Sequence, residues 1–337
     1  MVLVTGGTGL LGSHLIVSLL QKGLKIRATC RENSNKDTIL KTAAYYNIDL
    51  SPYLQNLEWQ EADLLDIVAL AKAFKGVSDV YHCAAVVSFN PSDSKLVLAD
   101  NVSSTANMVN LAIDNKIRKF VHTSSVASLG RKAENKNIDE SSDWLESKNN
   151  SNYAKGKYAS EIEVWRGTQE GLNAVIVNPS IIIGPSNWKN GSSAMFNTVA
   201  KGLKFYTGGS NAFVDVRDVA EIMIQLMDSD ISEERFVVAA ENVSYKSFFE
   251  FIAEGLGIPA PSKKVGSTLS EIAWRLEWLK FKLTGKKPVI TKETARTAQK
   301  TYFYDNSKVK KSLGFEFRDL KESVLEIAKF YRDDSKA

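Results

Sequence analysis

The chain has 337 residues, 44% of them hydrophobic and 24% charged, with 43 lysines and arginines against 39 aspartates and glutamates. These values exclude a disordered chain, and the length suits either one large domain with an elaborated second lobe or two domains. The formal charge of +4 offers no case for a nucleic-acid partner.

The chain begins with an apolar strand that runs into three glycines. Val2–Thr5 is followed by Gly6, Gly9 and Gly12, and a helical pattern covers Leu10–Gln21. Glycine permits a tight turn between strand and helix, and it lets backbone N–H groups approach a pyrophosphate that the helix N-terminus attracts. The spacing therefore predicts a dinucleotide-binding turn, with a purely structural turn as the alternative.

The next predicted strand, from Lys25 to Arg31, bears on the choice of cofactor. In dinucleotide-binding folds that select NAD, this strand usually ends in Asp or Glu, which hydrogen-bonds the ribose 2′-hydroxyl. Here Arg31 stands at that end, and no acid occurs before Glu32. A guanidinium can pair with a 2′-phosphate, and Ser34 and Lys36 are further candidates. The sequence thus predicts NADP(H), while NAD(H) and a solvated surface arginine are the alternatives.

Strand-like and helix-like segments alternate through the first half of the chain. This alternation is typical of an α/β fold with a parallel sheet covered on both faces, and right-handed crossovers then give a doubly wound Rossmann sheet. The further strands are predicted at Leu57–Glu61, Val80–Ala85, Arg118–Ser125 and Ala174–Asn178, and the helices at Ile67–Phe74, Leu96–Asn115 and Tyr153–Gly171.

The second half of the chain is less regular. Pro179–Gly209 is rich in turns and is interpreted as loops around a ligand pocket. A short strand at Phe213–Val216 and a helix at Val219–Met227, which returns the chain to the main sheet, are predicted next. A last strand at Phe236–Ala239 precedes a helical C-terminal region.

This organisation predicts two lobes. We expect a Rossmann domain of residues 1–178 plus about 212–240. The remaining residues, 179–211 and 241–337, would form a smaller, discontinuous substrate lobe.

The predicted strand before residue 126 ends in three hydroxyl side chains, Thr123, Ser124 and Ser125. Ligands of parallel sheets bind beyond the carboxyl ends of the strands, so these hydroxyls are expected in the same crevice as the glycine turn. A serine there can donate a hydrogen bond to a substrate carbonyl oxygen that gains negative charge. A capping or turn serine is the alternative.

Tyr153 and Lys157 are four residues apart on a predicted helix and therefore share one face. The pKa of a free phenol, about 10, is too high for efficient proton exchange at neutral pH, and a neighbouring ammonium lowers it. The pair predicts that Tyr153 is a general acid or base, although the same spacing also occurs on ordinary helix faces.

Nine segments follow one another in an order and spacing that are specific together, although no single one is decisive. They are Thr5–Gly12, Ala62–Leu64, His82–Ala85, Asn101–Val102 with Thr105, Val121–Ser125, Tyr153 with Lys157, Asn178–Ser180, Phe213–Ala220 and Asp305–Lys308. Over nearly its whole length the chain thus resembles the extended short-chain dehydrogenase/reductases. Within them it is similar to the branch of dihydroflavonol-4-reductases and 3β-hydroxysteroid dehydrogenases.

The resemblance implies catalytic roles for the residues that match. Ser125 would orient the substrate carbonyl, with Ser124 as the competing assignment. Tyr153 would give or take the proton. Lys157 would lower the pKa of the tyrosine and hydrogen-bond the nicotinamide ribose.

The resemblance also assigns contacts with the cofactor. Asp63 and Leu64 would hold the adenine, and the small Ala84 and Ala85 would let the backbone approach the cofactor. Asn101 would shape the helix behind the site. Together with the glycine turn, the expected set is Thr5, Gly6, Gly9, Leu10, Leu11, Gly12, Arg31, Asp63, Leu64, Ala84, Ala85, Lys157, Asn178 and Pro179.

The function implied by the resemblance is reduction of a moderately sized, apolar ketone or aldehyde with NADPH by a homodimeric oxidoreductase. A nucleotide-sugar epimerase or dehydratase with a retained NAD shares the same Ser, Tyr and Lys and is the alternative. The basic end of the second strand argues against it. A non-catalytic nucleotide-sensing scaffold is a third hypothesis, and the intact Tyr153 and Lys157 argue against that one.

Cys30 and Cys83 lie far apart in the sequence without metal-ligand spacing. They predict free thiols in a reducing, cytoplasmic compartment. The first strand begins at Val2, which leaves no room for a signal peptide, and no apolar run approaches transmembrane length. The three histidines have no second ligand at metal-binding spacing, so no metal is expected.

Residues 270–287 combine aromatic and aliphatic side chains with lysines. A basic, tryptophan-bearing amphipathic helix can lie on a membrane surface, whereas covering a substrate pocket or a subunit interface is the more common role. The residues concerned are Trp274, Leu276, Trp278, Leu279, Phe281 and Leu283 beside Lys280, Lys282, Lys286 and Lys287.

Overall fold

The computed structural model describes residues 1–86, 94–130, 137–147, 150–285 and 291–336, so Lys286 and Lys287 lie outside the described residues. The strands are β1 Val2–Thr5, β2 Ile26–Cys30, β3 Leu57–Glu61, β4 Asp79–His82, β5 Lys119–Thr123, β6 Asn137–Ile138, β7 Ala174–Pro179, β8 Ile181–Ile183, β9 Phe205–Thr207, β10 Ser210–Asp215, β11 Glu234–Val238, β12 Glu241–Ser244, β13 Lys263–Val265 and β14 Phe303–Tyr304. The helices are α1 Leu10–Gln21, α2 Thr38–Tyr45, α3 Ile67–Ala73, α4 Ser94–Asp114, α5 Asn152–Gln169, α6 Ala194–Ala200, α7 Val216–Asp228, α8 Tyr245–Leu256, α9 Ser267–Thr284, α10 Lys292–Thr297, α11 Ser307–Leu313 and α12 Leu320–Asp334.

A parallel sheet of seven strands, in the order β11-β7-β5-β4-β1-β2-β3, forms the centre of the described fold. The chain runs outward from β1 to β3 and then crosses back to β4, so the order of the strands reverses between β1 and β4. Ligands of open α/β sheets bind at such a reversal, beyond the carboxyl ends of the strands. The predicted doubly wound Rossmann sheet is confirmed.

Apolar layers cover both faces of this sheet. On one face, Leu15 and Leu19 of α1 pack with Met223 of α7, and on the other, Val109 of α4 packs with Val164 of α5. Strands buried on both faces are apolar along their whole length instead of alternating, which is why the pattern of β7 was readable from the sequence.

A smaller sheet lies outside the central one, with the order β12-β10-β8. Its core includes Phe213, which stacks on Phe248 of α8 with ring centroids 3.9 Å apart. The strand predicted at Phe213–Val216 is therefore β10, but it begins earlier and ends at Asp215. The Asp215 carboxylate accepts a hydrogen bond from the N–H of Arg217, which starts α7 at Val216.

Several other predicted boundaries were too wide or missed elements. The strand predicted to reach Ala85 ends at His82. The strand predicted to reach Ser125 ends at Thr123, because the Ser125 hydroxyl accepts the Ala127 N–H and so begins a short 3-10 helix. The segment predicted as loops between residues 179 and 209 also contains β8, α6 and β9. The shortened strands place the residues after them in loops at the carboxyl edge of the sheet.

The predicted division into two lobes stays a prediction. Val309 of α11 and the following Phe315 belong to the sequence of the predicted substrate lobe, yet they pack in the same apolar core as Phe236 of β11. Within the described residues, no helix combines the length and the apolarity needed to cross a membrane. Across the same residues, no cluster of three or more His, Cys, Asp or Glu is placed to hold a metal ion.

Candidate active site

Two of the three glycines after β1, Gly6 and Gly12, lie in a turn where a side chain has no room. Gly6 has a φ of +71°, and a Cβ there would lie 2.9 Å from the backbone of Ala84. A Cβ on Gly12 would lie 2.2 Å from the carbonyl oxygen of Gly6, which itself accepts the N–H of Gly9 at 2.9 Å. The backbone of the turn therefore packs directly on itself, at Gly6 and Gly12, and on the backbone of the loop that follows β4.

The N-terminus of α1 fits the pyrophosphate of a dinucleotide. Its N-cap is Gly9, which provides no side-chain hydrogen bond, and within the described residues its first turn carries no acid. The N–H groups of Leu10, Leu11 and Gly12 are those that a helix leaves without an internal partner. Together with the positive end of the helix dipole they form an anion site, so the residues present suit the predicted cofactor.

We expect Gly12→Ala to raise the dissociation constant of NADPH at least tenfold, equivalent to about 1.4 kcal/mol, and to lower Tm. The added methyl overlaps the Gly6 carbonyl, so the backbone that faces the pyrophosphate must move. Fluorescence titration and a thermal melt measure both effects. The control is Gly266→Ala, because a Cβ there meets nothing within 4 Å. Equal affinities of the two variants would contradict the assignment of the turn.

His82 braces the turn against the strands and α4. Its Nδ1 lies 2.8 Å from the Thr5 hydroxyl, which also accepts the Ala84 N–H at 3.2 Å, and its Nε2 lies 3.2 Å from the Thr105 hydroxyl. Burial lowers the pKa of His82 to about 3, so the ring is neutral. The Thr5 side chain thus fixes the backbone of the loop that contains Ala84. The neighbouring Ala85 is exposed.

Asn101 of α4 holds the backbone just after the two alanines. Its Oδ1 accepts the N–H of Val86 at 2.7 Å, and its Nδ2 donates to the carbonyl of Val86 at 2.9 Å. This pair of bonds ties α4 to the loop that follows β4, and the expected role of Asn101 in shaping the helix behind the site stays a prediction.

Arg31 lies directly after β2 with an exposed side chain. Its backbone forms a tight turn with Ser34, because the Arg31 N–H donates to the Ser34 hydroxyl and the Ser34 N–H donates to the Arg31 carbonyl, both at 3.0 Å. Arg31 therefore lies at the carboxyl edge of the sheet, directly after the strand that pairs with β1.

Asp63 and Leu64 follow β3, the strand beside β2. The Ala62 N–H donates to the carbonyl of Cys30 at 3.0 Å, which brings the ends of the two strands together. The exposed Asp63 carboxylate accepts the Leu65 N–H at 2.9 Å, and Leu64 packs against the apolar core. The structure thus places Asp63 and Arg31 at the ends of neighbouring strands.

Ser125, Tyr153 and Lys157 come together where β5 ends beside α5. The side chain of Lys157 is 4% exposed, and its Nζ donates to the carbonyl of Thr123 at 2.9 Å. Burial lowers the pKa of Lys157 to about 8, against the opposing influence of Cys83 and Glu161. Tyr153, one turn earlier and half-buried, hydrogen-bonds with the side chain of Ser125.

The expected lowering of the tyrosine pKa by Lys157 is wrong for this structure. Burial raises the pKa of Tyr153, and the opposing influence is the hydrogen bond with Ser125. The Lys157 ammonium is instead directed at the Thr123 carbonyl. The phenol is consequently protonated at neutral pH, which is the state that a proton donor requires.

Ser124, the competing candidate for the substrate-orienting serine, faces away into a buried cluster around Glu161 of α5. Its hydroxyl donates to Glu161 Oε2 at 2.7 Å, and the Ser128 hydroxyl lies 2.7 Å from the same oxygen. The other carboxylate oxygen, Oε1, accepts from Nη1 of Arg235 at 2.9 Å. Ser124 is therefore engaged in a structural network.

Asn178 and Pro179 end β7 and are both buried. The Asn178 side chain belongs to the same cluster, because Nδ2 lies 2.9 Å from Glu161 Oε2 and 3.2 Å from the carbonyl of Ser125. Its contact with the backbone of Ser125 positions the loop of that serine. Direct contact of Asn178 or Pro179 with a cofactor stays a prediction.

Sequence analysis overlooked Glu161 and Arg235. Glu161 lies four residues after Lys157, on the same face of α5, so the repeated spacing was a signal for it. Arg235 lies on β11, 74 residues away, and its partner was not recognisable before the strand order was known.

Known proteins resemble this chain in sequence and in fold. The model of the NAD dependent epimerase/dehydratase family matches residues 2–239. The chain belongs to this family. The recognition of an extended short-chain dehydrogenase/reductase is thereby confirmed. Members of the epimerase/dehydratase family bind NAD(P), so the chain is an NAD(P)-dependent enzyme of the oxidoreductase or epimerase type.

Individual proteins also resemble the chain over most of its length. It is 29% identical to "Putative dihydroflavonol 4-reductase" of Synechocystis sp., covering 98% of this chain and 94% of that protein. It is 31% identical to "Sterol demethylase protein B" of Methylococcus capsulatus, covering 77% and 75% of the two chains. The crystal structure of gox2253 superposes with a TM-score of 0.82 at 27% identity, covering 100% of this chain and 99% of that one.

Proposed function

We propose that this member of the epimerase/dehydratase family is an NADP-dependent reductase of ketones or aldehydes. The observation that carries the proposal is the group formed by Ser125, Tyr153 and Lys157 at the carboxyl edge of the sheet. A protonated phenol, a serine hydroxyl within hydrogen-bonding reach of it and a buried lysine are the donors that carbonyl reduction needs. The reverse oxidation uses the same residues.

The nicotinamide, when bound, supplies the hydride. The chain's own residues then act on the substrate oxygen and on the cofactor ribose. Ser125 donates a hydrogen bond to the carbonyl oxygen as negative charge develops there. Tyr153 transfers its phenolic proton to that oxygen. Lys157 has three N–H donors, of which the Thr123 carbonyl takes one, and we assign the others to the ribose hydroxyls.

The glycine turn binds the pyrophosphate in this proposal, and Arg31 binds the 2′-phosphate. We expect Arg31→Ala to raise the KM for NADPH by roughly 10- to 100-fold and to leave the KM for NADH unchanged, since only NADPH loses charge-assisted hydrogen bonds. Steady-state kinetics with both cofactors measure the difference. The control is Arg332→Ala, which removes an exposed arginine on α12. An unchanged cofactor preference in Arg31→Ala would contradict the prediction.

The competing function is nucleotide-sugar epimerisation or dehydration, which the family name includes. A screen of NADPH oxidation over aldehydes, flavonoid-like ketones, steroids and sugar nucleotides tests both functions together. We expect net oxidation of NADPH with an apolar carbonyl compound. Purified protein that carries bound NAD and converts a sugar nucleotide without consuming NADPH would overturn the proposal.

The pKa of Lys157 predicts how the reaction depends on pH. Because its pKa is about 8, the ammonium is present below pH 8 and is lost as the pH rises above it. We therefore expect kcat/KM to fall above about pH 8, well below the range in which a tyrosine with a raised pKa would lose its proton. Lys155→Gln is the control. Because Lys155 pairs with Glu146 at the surface, this variant should keep the pH profile of the unchanged enzyme. A profile that stays flat to pH 10 would contradict this assignment.

We further propose a cytoplasmic homodimer whose substrate lobe comprises residues 179–211 and 241–337. Cys30 and Cys83 are both free thiols, which supports a reducing compartment. The dimer rests on the resemblance alone. Light scattering of the purified chain measures its mass, and a monomer at micromolar concentration would contradict this part of the proposal.

A further inference from the structure

Helix α9, residues Ser267–Thr284, contacts the part of the chain that the structure describes mainly along one side. The Gln299 amide donates to the Ser270 hydroxyl at 2.7 Å, and Nε of Arg296 donates to Glu271 at 2.7 Å. Trp274 lies on this inner side, and its indole N–H also donates to Glu271. Helix α10 and the segment after it thus hold α9 by its inner face.

The opposite face of α9 carries five aliphatic side chains that are between 48% and 77% exposed. Successive residues of an α-helix are rotated by about 100°, so these five project within an arc of about 80°. We call them the outer stripe. They are Leu269, Ile272, Leu276, Leu279 and Leu283. Among the described residues, the stripe faces away from the rest of the protein.

Cations border the outer stripe. Arg275, Lys280 and Lys282 are exposed, and Lys282 lies over the ring of Trp278, which is itself 49% exposed. Two of these cations pair with the half-buried glutamates of α9, Arg275 with Glu271 at 2.7 Å and Lys280 with Glu277 at 3.3 Å. Around the helix the three cations lie closer to the outer stripe than the two glutamates do, so the edges of the stripe are basic.

We propose that the outer stripe of α9 docks on a lipid surface with anionic headgroups. A helix with an aliphatic face and basic edges lies in the plane of a membrane interface, with its apolar side chains below the headgroups and its cations among them. The buried stripe supplies the apolar contribution and the basic edges supply the electrostatic one. The inference uses no residue of the candidate active site and is independent of the proposed reaction.

The charges argue against a second copy of the chain as the occupant. If two α9 helices paired through their stripes, the residues at the edges would meet across the interface. In a parallel pair Arg275 would face Lys280 of the other copy, and in an antiparallel pair it would face Lys282, so like charges would meet either way. Anionic headgroups meet the same cations favourably.

Sedimentation of the full chain with vesicles tests the proposal. The vesicles are phosphatidylcholine alone or phosphatidylcholine with one quarter phosphatidylglycerol. We expect the protein to pellet with the anionic vesicles and to be released by salt. The double variant Leu276→Gln/Leu283→Gln should weaken partitioning by roughly tenfold or more, because it removes two aliphatic side chains from the interface. Lys280→Gln/Lys282→Gln should weaken it and reduce its salt dependence.

The matched control is Ile67→Gln/Val68→Gln on α3, where the two aliphatic side chains are 57% and 69% exposed. It should pellet like the unchanged chain. Circular dichroism verifies that all variants fold. An unchanged chain that stays in the supernatant, or a Leu276→Gln/Leu283→Gln variant that pellets normally, would overturn the proposal. So would light scattering in which that variant turns a vesicle-independent dimer into a monomer, since this assigns the stripe to a second copy.

Discussion

Replacing Tyr153 with phenylalanine should lower kcat by roughly 10²- to 10⁴-fold, the range that a positioned proton donor contributes. The ring stays in place, so its packing is kept, and the phenolic proton that the carbonyl oxygen receives is lost. The affinity for NADPH should change little, because none of the proposed cofactor contacts involves the phenol. Turnover and cofactor titration of the same preparation separate the two effects.

Tyr158→Phe is the matched control on the same helix. Tyr158 stacks on Trp144, with ring centroids 4.5 Å apart, and loses only its hydroxyl in this variant. We expect its kcat to stay within a few-fold of the unchanged enzyme. If Tyr153→Phe also kept its activity within that range, the proposed acid would be excluded.

Replacing Glu161 with glutamine should lower both stability and turnover. The amide carries no charge for Arg235 and cannot accept all the hydrogen bonds that the carboxylate accepts. Breaking a buried ion pair by removing one partner costs about 3–5 kcal/mol, which corresponds to a fall in Tm on the order of 10 °C. Because Asn178 links this cluster to the Ser125 carbonyl, kcat should also fall when measured well below Tm.

Glu163→Gln is the control for the Glu161 variant. Glu163 lies two residues along α5 and pairs with Arg166 at 3.0 Å near the surface. Its loss should change the free energy of unfolding by no more than about 0.5 kcal/mol. If the two variants unfolded at the same temperature, the contacts around Glu161 would not stabilise the fold as expected.

The sequence predicted the central sheet well because its signals are local. The glycines at positions 6, 9 and 12 mark the first turn, and the strands buried on both faces are continuous apolar runs. Tyr153 and Lys157 were recognisable because one helix turn relates them. The smaller sheet was less predictable, since β8 and β12 are only three and four residues long and are stabilised by a distant partner, β10.

The remaining features of the candidate site depend on long-range contacts. The choice between Ser124 and Ser125 depends on which hydroxyl meets Glu161, and this requires the positions of β5 and α5 in space. Whether the pKa of Tyr153 is raised or lowered depends on where the Lys157 ammonium points and on how much of the phenol is buried. Helical spacing alone places the two side chains on one face without fixing either quantity.

If Lys157 binds the ribose as proposed, its buried ammonium couples cofactor binding to proton uptake. With a pKa of about 8, the lysine is about half neutral at that pH in the free protein. A ribose hydroxyl that accepts a hydrogen bond from Nζ favours the ammonium, so binding near pH 8 draws up to about half a proton from the buffer. Dinucleotide affinity then weakens by up to about tenfold for each pH unit above 8. The observed heat of binding depends on the ionisation enthalpy of the buffer for the same reason.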